Sequence, residues 1–366
     1  MIISILFYIL LCLIGSQNTL TRERKILYVC MLTALYAGIR WDYTPDYPAY
    51  QYLFEQFSDN SFHYDENIVH VEYGWYLINK YLSPIGYYGF VFLTSCIFAF
   101  GVYKLMILFT PDEYVWIVIL GVVTAGGFTT LLSAQRQMLV ASIVMISYRY
   151  LLYNHVSHWR DLYSKWCILY YLTIIICTYF HKSAFFMIIV PLVFAFPAKS
   201  KKLPLLIITI VLLLTLFGST FLVGVFQEYS SELGMYDYLN YEKTWAGTVT
   251  VVQGAMWCFI IYYSLKVYFN CEIDKNQQAS LMLGIMAILV TLSGYYLSQV
   301  GRIAHYMYVF TYMNIGIIYV ALKEAKMNTQ TFTTAMIVWI VWNALKIFSI
   351  RVGTFQEYKT IFSAFL

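Results

Sequence analysis

Long apolar segments recur from one end of the chain to the other, and they restrict the possible folds more than any other feature. Of the 366 residues, 61% are hydrophobic and 11% are charged, whereas about 25% of a soluble domain is charged. A membrane-spanning helix needs about 20 predominantly apolar residues. We therefore predict an all-α, polytopic membrane protein that forms one integral domain over residues 1–366. About twelve spans are expected, at 1–16, 26–40, 86–108, 114–132, 135–153, 166–181, 183–197, 204–226, 249–269, 278–297, 303–322 and 331–349.

Basic residues in the short connections predict the orientation of the chain. Short basic connections usually face the cytoplasm. Four connections here are basic, at 21–25, 149–165, 199–202 and 323–326. The order of the predicted spans allows all four to lie on the cytoplasmic side. The opposite side then carries two long loops, at 40–85 and 226–248. Within the first, residues 73–82 are amphipathic and too short to span, which predicts a helix lying in the membrane interface. The second combines tyrosines with carboxylates, which suits either sugar rings or an aromatic belt.

Composition and motifs exclude several classes of protein. The net charge of +4 and the lack of a basic patch argue against nucleic-acid binding. The seven cysteines lie mostly in apolar segments without metal-ligand or disulfide spacing. Walker, dinucleotide-binding and zinc-protease motifs are missing as well. We therefore expect neither a metal nor another cofactor.

Three arginines, Arg40, Arg136 and Arg302, lie at span boundaries on the predicted outer side. A charge at membrane depth costs roughly 2.5–3.5 kcal/mol and usually indicates function. Guanidinium groups bind phosphate oxygens in a bidentate manner. Helices beginning at residues 136 and 302 would add backbone N–H donors, and Gly301 would let a ligand approach closely. The pattern predicts a pyrophosphate site, although a terminal arginine can also simply reach the interface.

His181 is the first candidate for a general base, because it lies in the hinge 180–183 between two short spans and histidine accepts protons near neutral pH. A purely structural histidine is the alternative. Asp46 is a second candidate base, or it orients an arginine. His305 would face the same way only if the eleventh span begins late. Substrate-positioning residues are predicted nearby: Asp42, Tyr50, Glu72, Gln137, Lys182, Ser183 and Tyr306.

Four motifs in this order resemble those of the EpsG/Wzy family of bacterial polysaccharide polymerases. They are Arg40 with Asp46-Tyr-Pro-Ala-Tyr50, Arg136-Gln137, Phe180-His181-Lys182-Ser183-Ala184 and Gly301-Arg302-Ile-Ala-His-Tyr306. One departure is Thr44-Pro45, where the family usually has Gly-Thr.

The resemblance implies an architecture similar to O-antigen polymerases and GT-C glycosyltransferases in the bacterial inner membrane. Such enzymes join oligosaccharide repeat units carried on undecaprenyl pyrophosphate at the periplasmic face. The resemblance also implies an inverting reaction that needs neither metal nor nucleotide. Such an enzyme would act together with a flippase and a chain-length regulator protein.

Other functions remain open at this point. A flippase for the lipid-linked unit would call for inverted repeats and broken helices in mid-membrane. A ligase that moves polymer onto a lipid acceptor would use the same arginine and histidine chemistry. An acyltransferase would receive its acyl donor from the cytoplasmic side. A scaffold would not need three arginines on the outer side.

Overall fold

The computed structural model describes residues 2–44, 46–65, 71–124, 126–153, 155–197, 199–213, 247–294, 298–349 and 359–360. The predicted loop 226–248 lies outside these residues up to position 246.

The described chain is built from α-helices joined by short 3₁₀ turns. The α-helices are α1 Ile2–Ser16, α2 Arg22–Gly38, α3 Tyr47–Ser58, α4 Tyr73–Leu82, α5 Gly86–Phe109, α6 Val115–Thr124, α7 Gly126–Ser133, α8 Gln135–Ser147, α9 Lys165–Thr178, α10 Val190–Ala195, α11 Lys202–Leu213, α12 Gly247–Asn270, α13 Lys275–Ser293, α14 Ser298–Ile303, α15 Tyr308–Glu324 and α16 Gln330–Ser349. The 3₁₀ helices are Ser83–Ile85, Asp112–Tyr114, Tyr148–Tyr150, Trp159–Tyr163, Lys182–Ile189 and Ala304–Tyr306. Two short strands, β1 Arg40–Trp41 and β2 Lys359–Thr360, pair antiparallel.

Two helical stretches within the described residues are long and apolar enough to cross a membrane, Tyr73–Phe109 and Lys275–Ser293. A third candidate is the pair Asp112–Thr124 and Gly127–Ser133, which bends by 50°. Large apolar side chains also face outward, with Leu13 60% and Val338 60% exposed, as expected where helices meet lipid. The chain is thus a helical protein with membrane-spanning segments, and the number twelve stays a prediction.

Several predicted spans begin or end elsewhere than expected. The predicted span 303–322 corresponds to helix α15, which begins only at Tyr308, after a 3₁₀ turn. The hinge predicted at 180–183 separates α9, which ends at Thr178, from the 3₁₀ helix Lys182–Ile189. Residues 73–82 form the predicted helix, but it leads almost directly into α5. Apolar length predicts a span well, whereas breaks depend on contacts with other helices.

The described residues of the segment 40–85 pack against α5 and α8, and we call them the cap. Its helices α3 and α4 pack on each other and on the start of α5 around a core dominated by aromatic rings. This core contains Tyr47, Phe54, Phe57, Val71, Trp75, Tyr76, Tyr87, Phe90, Val91 and Leu139. Because Leu139 belongs to α8, the cap core is continuous with the helices below it.

Two of the predicted cytoplasmic connections, 21–25 and 323–326, contact the turn at 110–113. Lys25 pairs with Asp112 at 2.9 Å, and Lys323 pairs with Glu113 at 3.1 Å. Arg22 Nε donates to the carbonyl of Thr110 at the C-terminus of α5, where a positive charge is favourable. We call this region the basic end.

Candidate functional site

Glu72 is the centre of a polar cluster under the cap. One carboxylate oxygen accepts a hydrogen bond from the Arg136 guanidinium, forming an ion pair. The other oxygen accepts the backbone N–H of Lys182 at 3.1 Å and lies 3.4 Å from Nδ1 of His181. Glu72 itself precedes helix α4. Residues from three separate parts of the chain therefore meet at one carboxylate.

The backbone around Gly74 holds this arrangement together. The N–H of Gly74 donates to the carbonyl of Tyr179 at 2.9 Å, which joins the first turn of α4 to the hinge before His181. A Cβ atom at position 74 would lie 2.5 Å from that same oxygen. Only glycine permits so close an approach, so this residue sets the distance between Glu72 and His181.

Arg136 is the second residue of helix α8, as predicted from its position at a helix start. Its side chain is largely buried, and its Nε atom has no hydrogen-bond partner among the described residues. The Tyr50 hydroxyl contacts the same guanidinium, and the Tyr50 ring packs edge-on against Trp75 at 5.7 Å. The structure thus brings Tyr50, Glu72 and Arg136 together, all three of which were singled out from the sequence.

Asp46 connects the cap to the junction between α7 and α8. Its Oδ2 accepts a hydrogen bond from Ser133 Oγ at 2.9 Å, three residues before Arg136. A second link runs from Gln135 Nε2 to the Tyr87 hydroxyl at 2.6 Å. Ser133, Gln135 and Tyr87 were not predicted as site residues. Ser133 and Gln135 could have been found from the polar run Ser133-Ala-Gln-Arg-Gln137 inside an apolar stretch.

Ser183 and Tyr306 bind each other rather than facing an open surface. Their hydroxyls lie 2.8 Å apart, and Tyr306 is 1% exposed. Tyr306 also accepts a hydrogen bond on its carbonyl from the Tyr148 hydroxyl at 3.2 Å. Both residues therefore support the contact between the hinge and the turn at 304–306, and direct contact with substrate stays a prediction.

Arg302 lies in the last turn of the six-residue helix α14, so the predicted helix start at this position is wrong. The physical reason is a close contact between glycines. A Cβ atom on Gly294 would lie 2.5 Å from Cα of Gly301, so the two segments touch backbone to backbone. The missing side chain of Gly301 thus serves this packing, in place of the ligand space that we expected. No positive helix end adds to the charge of Arg302.

Gln137 joins Arg302 to the rest of the cluster. Its Nε2 donates to the carbonyl of Arg302 at 2.6 Å, and its Oε1 lies 3.3 Å from Nδ1 of His305. Gln137 is 2% exposed, so it connects two elements from within the protein. His305 faces this cluster because α15 begins late, which is the condition that the sequence set for it.

Arg40 is fully buried. Its Nη1 donates to the carbonyl of Ala37 and to Ser95 Oγ, the latter at 3.2 Å, and so ties α2 to α5. A role in pyrophosphate binding therefore stays a prediction that the burial does not favour. Asp42 is half-buried and has a positive φ of 44°, a conformation that aspartate tolerates better than most residues. It shapes the chain between β1 and α3.

The electrostatic state of Glu72 follows from its donors. Burial raises the pKa of this carboxyl, but the neighbouring His181 imidazole, the charge of Arg136 and the Lys182 N–H outweigh it and lower the pKa to about 2. Glu72 is therefore an anion throughout the physiological pH range. Within the described residues, no group of His, Cys, Asp and Glu could hold a metal ion.

Comparison with known proteins gives one match. A model of the EpsG family matches residues 25–360, which is nearly the whole chain. No curated protein and no solved structure matched. The match agrees with the four motifs and supports a membrane protein of polysaccharide biosynthesis with polymerase-type glycosyltransferase activity. Since the family model matches nearly the whole chain, the chain belongs to the EpsG family.

Proposed function

We propose that this protein polymerises oligosaccharide repeat units carried on undecaprenyl pyrophosphate, at the periplasmic face of the bacterial inner membrane. The observation that carries the proposal is the convergence of Arg136, Glu72 and His181 from distant parts of a chain that belongs to the EpsG family. A cation that binds phosphate and a group that accepts a proton are the two functions that such a transfer requires.

Arg136 binds the pyrophosphate of the donor, the growing chain on its lipid carrier. Its Nε is buried without a partner among the described residues, so it can donate to a phosphate oxygen that enters the cluster. Arg302, held beside α8 by Gln137, adds a second positive charge. As the bond between sugar and pyrophosphate breaks, negative charge grows on the leaving group and these guanidinium groups stabilise it.

The acceptor is the non-reducing sugar of a new lipid-linked unit. Its hydroxyl oxygen attacks the anomeric carbon while the bond to the pyrophosphate oxygen breaks, and the bonding electrons leave with undecaprenyl pyrophosphate. His181 takes the proton of the attacking hydroxyl. Attack in one step from the opposite side inverts the anomeric centre. Asp46 remains the second candidate for the base, although its hydrogen bond with Ser133 favours a structural role.

The orientation and partners follow from the same proposal. The basic end faces the cytoplasm, in agreement with its lysines and arginines, and the cap faces the periplasm. The cap would then meet units delivered by a flippase, and a chain-length regulator protein would limit the polymer.

Expression in a host that makes the repeat unit but lacks its own polymerase tests the proposal. We expect a ladder of surface polysaccharide with the wild-type protein, and Arg136→Ala should reduce it to one repeat unit. If no repeat unit reaches the surface without the wild-type gene, the protein is a flippase. If single units are capped equally in every strain, it is a ligase, an acyltransferase or a scaffold, and the proposal is wrong.

A further inference from the structure

Glu72 contacts both Arg136 and His181, the two side chains that the proposed reaction uses. It is also the least exposed of the three. Its side chain is 11% exposed, compared with 21% for Arg136 and 15% for His181. The carboxylate already receives the Arg136 guanidinium and the Lys182 N–H, and it faces the His181 ring. A carboxylate so engaged has little capacity left for a sugar hydroxyl.

The imidazole of His181 offers two different nitrogens. Nδ1 lies 3.4 Å from Glu72 Oε1 and makes no hydrogen bond within the described part of the chain, so this carboxylate is the acceptor within reach. This separation is slightly longer than that of an ordinary N–H···O hydrogen bond, so the two atoms are close enough to form one after a small adjustment. The proton of neutral His181 is then held on Nδ1, and the lone pair is left on Nε2.

We propose that Glu72 is a positioning residue that fixes the Nδ1–H form of His181, so that Nε2 accepts the proton of the acceptor hydroxyl. The inference rests on the proposed function and adds to it which nitrogen of His181 accepts the proton. It also replaces our earlier expectation that Glu72 contacts the substrate.

Glu72 has a second effect as the reaction proceeds. His181 becomes positively charged when it takes the proton, and the neighbouring carboxylate stabilises that charge. Other charged and titratable groups close to the ring are Arg136 from α8, Lys182 beside it, and His305 from the turn at 304–306. Among them, Glu72 is the group whose negative charge offsets the positive ones.

A structural ion pair is the competing explanation, in which Glu72 only anchors α4 to α8. The two explanations differ in the tautomer of His181, because an anchor has no preference for one nitrogen over the other. Nitrogen NMR of the protein with ¹⁵N-labelled histidine reads the tautomer directly. The chain has six histidines, and the signal that disappears in His181→Ala belongs to His181.

The spectra are recorded at a pH high enough that the His181 signal no longer changes with pH, so that the neutral ring is observed. We expect protonated Nδ1 in the wild-type protein and in Glu72→Asp, and a shift towards protonated Nε2 in Glu72→Gln. Glu55→Gln is the matched control, since Glu55 is an exposed cap residue bonded to Gln51, and it should match the wild type. Protonated Nε2 in the wild-type protein, or an unchanged tautomer in Glu72→Gln, would overturn the proposal.

If Glu72→Gln does not accumulate in membranes, the double variant Glu72→Gln/Arg136→Gln takes its place, because it leaves no charge buried and unpaired. The single variants Glu72→Gln and Glu72→Asp are then compared with the wild type by polymer ladder. Glu72→Gln should slow polymerisation by about tenfold or more, with partial rescue in Glu72→Asp. The tautomer does not depend on the polymerase assay, so a correct tautomer without any polymer would refute the proposed function and leave the Glu72–His181 contact established.

Discussion

The cap side and the basic end both contain ion pairs, and the pair Glu72–Arg136 differs in burial from the pair Lys323–Glu113. The other pair of the basic end lies between them, since Lys25 is 3% exposed and Asp112 is 50% exposed. Glu72 and Arg136 are 11% and 21% exposed, and Glu72 also accepts the Lys182 N–H. Lys323 and Glu113 are 58% and 56% exposed, and each can be hydrated by water. Screened surface pairs contribute little to stability, whereas breaking a buried pair leaves an uncompensated charge. The comparison shows that the Glu72 carboxylate is enclosed by several donors, whereas Lys323 and Glu113 remain in contact with water.

The cores of the two regions differ as well. Aromatic rings dominate the cap core, with Tyr50 on Trp75 and Phe54 on Phe90 among the ring pairs. In the bundle, small and polar residues allow close helix contacts, as where Ser280 and Asn314 hydrogen-bond at 3.0 Å between α13 and α15. Large rings suit a cap that is compacted by the hydrophobic effect, while helices in lipid gain more from close packing.

Replacement of His181 by alanine gives the largest expected effect. It removes the proposed base from the buried cluster, so polymer formation should fall by about 10²- to 10⁴-fold while single repeat units on the lipid persist. His155→Ala is the matched control, because His155 stacks on Trp166 in the basic connection 149–165. Measurement of the surface ladder checks both. Polymer of wild-type length from His181→Ala would show that another group is the base.

Gly74→Ala should give the next largest effect, although the change adds only a methyl group. The new Cβ would lie 2.5 Å from the carbonyl oxygen of Tyr179, so α4 must move away from the hinge. We expect a loss of about 1–3 kcal/mol in stability and a fall of up to about 100-fold in polymerisation. Gly254→Ala is the control, since nothing lies within 4 Å of its Cβ. Equal activity of the two variants would mean that the Gly74 contact does not position the site.

The pH dependence of stability should distinguish Glu72 from an exposed carboxylate. Its folded-state pKa is lowered from 4.5 to about 2, so its contribution is present above about pH 4.5 and is lost as the pH falls towards 2. Thermal unfolding of the wild type and of Glu72→Gln, measured from pH 7 to 3, checks this. The difference between them should be constant above pH 5 and shrink below it. A constant difference throughout would contradict the depressed pKa.

Lys323→Ala is expected to have the smallest effect. The pair that it breaks with Glu113 is exposed to water, and the Glu113 carboxylate remains hydrated when Lys323 is lost. Membrane abundance and polymer ladder should match the wild type within error. A clear loss of polymer would show that the basic end contributes to the reaction, and the comparison between the two regions would fail.

Much of the fold was predictable because its cause is local. Apolar runs predicted helices at most of the right places, and the amphipathic stretch at 73–82 is helical. Breaks were harder to predict, since the late start of α15 and the position of Arg302 at a helix end depend on the contact between Gly294 and Gly301. No local pattern distinguishes a glycine that makes room for a ligand from one that makes room for another helix.

The helical class, the family and the types of residue in the site could be read from the sequence, because these depend on composition, periodicity and short motifs. Tertiary structure alone decided which of them meet. Glu72 is 64 residues from Arg136 and 110 from Lys182 along the chain, and only helix packing brings them together. It likewise buried Arg40, Gln137 and Tyr306 almost completely, although their sequence positions resemble those of the more accessible candidates Arg136 and His181. Contacts between distant segments depend on how whole helices pack, and no single segment encodes them.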